Sequence, residues 1–115
     1  MPVRFLMLVC RDVSIELSPE QRAGIGPEVQ AWVAEMEERG VRLQGDVLAP
    51  IDATTTVSVR ANDLIVGSGP RVATDAPASG YNLIECSDLD EAIEVSAKHP
   101  IARFGLIELR PIAEA

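Results

Sequence analysis

The apolar and polar positions of this chain switch between strand-like and helix-like spacing. Val3 to Cys10, VRFLMLVC, is apolar at every position except Arg4. An apolar run without alternation predicts a central strand covered on both faces. From Ser18 onward the spacing becomes helical. Ser18 can cap, Pro19 suits the first helical position, and Gln21 completes a capping box. Val29, Trp32, Val33 and Met36 then recur at i, i+3, i+4 and i+7, one apolar stripe. Gly24, Gly26 and Pro27 interrupt this pattern, and a residue before proline is biased away from helix. A kink or break is therefore expected there, followed by a helix to about Arg39 and a closing Gly40.

Val41 to Leu48 alternates up to Gly45, a glycine that marks a bulge or a close backbone approach. Thr55, Val57 and Val59 alternate with Thr56, Ser58 and Arg60, which predicts a half-exposed strand. Ala61-Asn62-Asp63 reads as a hairpin turn into Leu64-Ile65-Val66. A Gly/Pro/Ser/Thr-rich loop spans 67–80 and runs into the apolar strand Tyr81 to Cys86. Ser87 with Asp90, or Asp88 with Glu91, caps a second helix. Leu89, Ala92, Ile93 and Ala97 supply its stripe, and Pro100 stops it. Gly105 to Arg110 is a last strand, closed by Pro111.

This order predicts one α+β domain over residues 1–115. Its fold class is ferredoxin-like βαββαβ with an inserted β-hairpin, an antiparallel sheet carrying two helices on one face. Two helices leave the second sheet face bare, although the first strand is apolar on both sides. A homodimer, sheet against sheet, is the economical cover.

Composition narrows the function. Aromatic residues are only 3% of the chain, so the core must be mostly aliphatic. The net charge is −8, with acids and bases interspersed. A nucleic-acid reader needs a basic face to displace counterions, and none is visible. An anionic membrane surface is disfavoured for the same reason. No apolar run approaches the ~18 residues of a membrane span, and no leader pattern opens the chain, so a cytoplasmic protein is expected. Cys10 and Cys86 lie in strand-like runs without metal-type spacing and read as buried free thiols.

Four segments together resemble the YCII-related family with the DGPF motif: RFLMLV, GVRLQGDVLAP, LIVGSGPRVATDAPASGYNLIE, and DLDEAIEVSAKHP followed by GLIELRP. The resemblance implies a dimeric α/β barrel. It also implies kinship with families that include cofactor-free lactone isomerases, dehalogenases and small monooxygenases. DGPF falls on Ser68-Gly69-Pro70-Arg71, so the motif acid is replaced by Ser68 and its aromatic by Arg71. The family often carries His-Pro where this chain has His99-Pro100.

The candidate chemistry follows. His99 is the only histidine, and imidazole alone titrates near neutrality without help. Near a helix C-terminus it also reads as a stabilising cation or a packed ring. Tyr81, at the loop exit, is a candidate donor or acid, and alternatively a core tyrosine. Asp75, Asp46 or Glu85 would have to approach His99 to form a dyad. We take His99, Tyr81 and Asp75 as candidate catalytic residues, and Ser68, Gly69, Pro70, Arg71 and Asp46 as candidate ligand-binding residues. Arg71 could grip a carboxylate through its fork. One histidine and no cysteine pair give no metal ligand set, and no glycine-rich loop leads into a helix, so no metal or cofactor is expected. The function expected is a small-molecule pocket under the 67–80 loop. The protein would be either a cofactor-free enzyme on a small organic acid or lactone, or a catalytically silent binding or regulatory dimer.

Overall fold

The computed structural model describes residues 1–114. The strands are β1 (Val3–Arg11), β2 (Arg42–Val47), β3 (Thr55–Arg60), β4 (Asp63–Ser68), β5 (Ala78–Cys86) and β6 (Gly105–Pro111). The helices are α1 (Pro19–Glu38) and α2 (Leu89–Ala97), with 3-10 turns at Ile51–Ala53 and Pro100–Arg103. Four strands form an antiparallel sheet in the order β2-β5-β1-β6, while β3 and β4 pair only with each other. With the β3–β4 hairpin set aside, this is the ferredoxin-like split βαββαβ.

Strand alternation sorts the side chains. Phe5, Met7 and Val9 of β1 stand opposite Ile84, Asn82 and Gly80 of β5 on the helix-covered face. Phe5, Met7, Val9, Ile84 and Cys86 pack there with Trp32 and Met36 of α1 and with Ala92 and Val95 of α2. Leu6, Leu8, Tyr81 and Leu83 face the other way and are only half-buried. The two-sided apolarity of β1 thus has one face under helices and one uncovered. Both cysteines are buried free thiols, and burial raises the pKa of each. No described helix is long and apolar enough to cross a membrane.

The capping chemistry of both helices forms. Ser18 Oγ accepts from the Gln21 N–H, and Gln21 Oε1 accepts from the Ser18 N–H. Asp88 caps α2 by accepting from the Glu91 N–H, while Glu91 Oε1 accepts from Ser87 N–H and O–H. Arg39 closes α1, and Gly40 follows with φ +72°, a left-handed turn that favours glycine.

Three expectations need correction. First, α1 runs unbroken through Pro27. Proline removes one helical hydrogen bond, but Ala23, Gly26 and Pro27 are exposed, so water can satisfy the freed carbonyl. Second, the buried stripe of α2 is Ala92, Val95 and Ser96, whereas Leu89 and Ile93 are about half exposed. Ala92 and Val95 pack with Trp32 and Met36 of α1, and Trp32 donates its indole N–H to the Val95 carbonyl at 3.0 Å. Third, the 67–80 loop is shorter at both ends than expected, its irregular part being residues 69–77. Gly67 and Ser68 belong to β4, and Ala78 to Gly80 belong to β5, where Gly80 pairs with Val9 on one side and Val47 on the other. Pairing partners supplied by the tertiary fold override the local turn composition.

Candidate functional site

A cleft of about 330 Å³ opens between α1 and the β2–β5 edge of the sheet. Val9, Ile25, Val29, Val33 and Ile101 give it apolar walls, and Arg42, Asn82 and His99 bring polar groups.

His99 is the most constrained of these. Helix α2 ends at Ala97, and His99 instead caps the following 3-10 turn: its Nδ1 accepts from the Ile101 N–H at 3.1 Å. The ring is only 3% exposed and meets Trp32 edge-on, 4.8 Å between centroids. Burial pushes its pKa down to about 4, and no carboxylate opposes that shift. The ring is therefore neutral at physiological pH, which overturns the reading of His99 as a cation at a helix C-terminus. Because Nδ1 accepts, the proton of the neutral ring sits on Nε2. Nε2 has no partner among the described residues, so the cleft receives a hydrogen-bond donor.

Arg42 is the second polar group. A bulge between Arg42 and Gln44 turns its side chain to the helix-covered face. Its Nε donates to Asn82 Oδ1 at 2.7 Å, and Nη1 lies 3.3 Å from Glu37 Oε2. The Arg42 side chain is only 13% exposed. Nη2 has no partner among the described residues and stays free for a ligand. Gly45 makes room for this arrangement: a Cβ there would collide with Asn82 Oδ1 and the Tyr81 carbonyl and press on Arg42 Nη2. Arg42 and Asn82 were missed in the sequence. The available signal was Gly45, whose close-approach reading was correct.

The candidate residues named from the sequence do not converge. His99, Tyr81 and Asp46 all border the cleft. Tyr81 pairs with Leu8 and with Asp46, so alternation sends both side chains to the uncovered face, away from the His99 ring. Asp75 is exposed, and its carbonyl accepts from Val13 N–H at 2.8 Å. Glu85 is bound to Arg4 at 2.9 Å. Ser68 ends β4 opposite Thr55, Gly69 donates to the Thr54 carbonyl, and Arg71 is exposed. Pro70 instead borders a separate concavity of about 460 Å³, together with Leu48, Ile51, Val72 and Pro77. That space, beneath the 67–80 segment, is lined by no ionisable side chain. No cluster of three or more His, Cys, Asp or Glu among the described residues could hold a metal.

The family model for the YCII-related domain matches residues 4–115. The chain belongs to the YCII-related family. A similar curated protein, an uncharacterized protein of Rhizobium meliloti (strain 1021), is 31% identical over 100 residues, covering 72% of this chain and 81% of that protein. In this YCII-related chain Ser68 to Arg71, where the sequence resemblance puts DGPF, begin at the end of β4 at the root of the β3–β4 hairpin, outside the cleft that His99 and Arg42 border.

Proposed function

We propose that this YCII-related protein binds a small organic acid or lactone in the cleft between α1 and the β2–β5 edge, and that it works as a homodimer through the uncovered sheet face. The single observation carrying the ligand reading is His99. A neutral imidazole with Nδ1 occupied presents Nε2–H to an apolar cleft, where a ligand oxygen can accept it. The free Nη2 of Arg42, in a guanidinium already paired with Glu37, adds a second donor on the same side. Guanidinium N–H groups suit a carboxylate, and the His99 donor suits a carbonyl or hydroxyl oxygen beside it.

The test is a thermal-shift and calorimetric panel of small carboxylic acids and lactones against the wild-type protein and Arg42→Gln. A ligand at 100 times its Kd adds about 2.7 kcal/mol of stability, easily seen. The expected result is an acid that binds wild type and binds Arg42→Gln at least tenfold more weakly. A panel without any binder, or a binder indifferent to Arg42, overturns the reading.

A cofactor-free enzyme acting on such a ligand is the second reading, favoured by the same Nε2–H. A neutral imidazole can polarise a carbonyl as an electrophile without surrendering its own proton. Against acid–base catalysis stands the lack of a carboxylate facing His99 across the cleft, and Ser68 in place of the motif acid. Incubating the bound ligand with protein and following it by NMR separates the two: turnover supports the enzyme, and an unchanged ligand leaves the binding protein.

A further inference from the structure

Among the described residues, the β3–β4 hairpin makes at most marginal contact with any other strand or helix. Its two strands pair through six positions, Thr55–Ser68 to Arg60–Asp63. Val57 stands opposite Val66, and Val59 opposite Leu64. These four side chains form one face of the ribbon, each between 57% and 67% exposed. A lone two-stranded hairpin is marginally stable in water. This one also has a costly turn, with Ala61 and Asn62 both at positive φ, 49° and 70°. For Asn62 that is tolerable, but an alanine there is strained. Such a ribbon needs a surface to lie on.

We propose that the hairpin is an intersubunit arm whose Val57, Val59, Leu64 and Val66 face packs on a second copy of this chain. Area is the first argument. A folded chain of this mass presents about 6,100 Å² of surface, with a radius of gyration of about 13 Å. This chain presents 7820 Å² and has a radius of gyration of 16.1 Å in a slab 47 × 44 × 18 Å. The excess of about 1,700 Å² exceeds the ~800 Å² per partner of a standard interface and reaches the range of obligate dimers. The second argument is charge. The chain carries −8 overall, which opposes self-association. Yet the hairpin holds one Arg60 against one Asp63, and the uncovered sheet face sets Arg4 and Arg110 against Asp46, Glu85 and Glu108. The surfaces available for self-association thus carry only about one of the eight net negative charges, and the acidic surplus lies mostly elsewhere. The third is economy. The hairpin and the uncovered sheet face both lack cover, and a two-fold contact can close both at once on each copy.

This goes beyond the ligand reading and is tested separately. The protein is studied at concentrations spanning its dimerisation midpoint, with mass by sedimentation and hairpin amides by hydrogen exchange. Arm docking predicts that amides of residues 56–67 exchange at least tenfold more slowly in the dimer than in the monomer. The variant Val59→Lys/Leu64→Glu keeps a cross-strand opposite-charge pair, so the hairpin itself can form, but it removes the apolar face. Its dimerisation should weaken at least tenfold, with circular dichroism and Trp32 fluorescence of the body unchanged. A dimer with unprotected hairpin amides, a dimer indifferent to the variant, a hairpin already protected in the monomer, or a monomer at every concentration overturns the arm. The first two leave the sheet-to-sheet dimer standing.

Discussion

Replacing His99 by Asn isolates the energetic consequence of burying a neutral imidazole. Asn Oδ1 can take the place of Nδ1 and accept the Ile101 N–H, so the cap of the 3-10 turn survives. What disappears are the ring packed on Trp32 and the titration. In wild type the folded pKa is near 4, against an ordinary value of 6.5. As the pH falls, the unfolded chain therefore takes up the proton first. Stability is full above pH 6.5, declines between 6.5 and 4, and levels off below. At pH 4.5 the shift costs wild type about 2.5 kcal/mol relative to neutral pH. At pH 7.5 the His99→Asn variant should be less stable by about 1–3 kcal/mol through the lost ring contacts. That deficit should vanish or reverse at pH 4.5, because the variant escapes the protonation penalty. The carboxylates lowered by their partners, Asp12 by Ser14 and Glu94 by Arg39, also lose stability in acid. Both proteins share them, so the difference between the two curves reports His99 alone. The assay is urea unfolding followed by circular dichroism at fixed protein concentration. Parallel pH curves for wild type and the His99→Asn variant would refute a buried neutral His99.

Two further outcomes follow from close contacts. Gly45→Ala forces a methyl into Asn82 Oδ1 and the Tyr81 carbonyl. We expect a loss of about 1–3 kcal/mol in denaturant unfolding and at least tenfold weaker ligand binding, because the Arg42–Asn82 bond must shift; unaltered affinity would show that this bond does not shape the cleft. Trp32→Phe removes the bond to the buried Val95 carbonyl and part of a ring, and should cost about 2–4 kcal/mol. A loss below about 1 kcal/mol in the same assay would mean that α1 and α2 are not locked together there.

The element order, both helix caps and the ferredoxin-like class were legible in the chain before any fold was known. These are local or periodic signals: Ser18 with Gln21, Asp88 with Glu91, the Trp32–Met36 stripe, and the two-sided apolar run of β1. His99 also stood out there, as the only imidazole. What surrounds that imidazole was not legible. Whether His99 is a cation at a helix end or a neutral donor in a cleft depends on burial by Trp32 and on where α2 stops. The choice of Ala92, Val95 and Ser96 as the buried side of α2 depends on packing against α1, which the Trp32–Val95 bond joins across 63 positions of sequence. Ala78 to Gly80 became strand because Val9 and Val47 offered partners, and Arg42 turned into the cleft because of a bulge in β2. Local composition records propensity; it does not record which distant surface a side chain will meet, and that meeting sets the chemistry of the site.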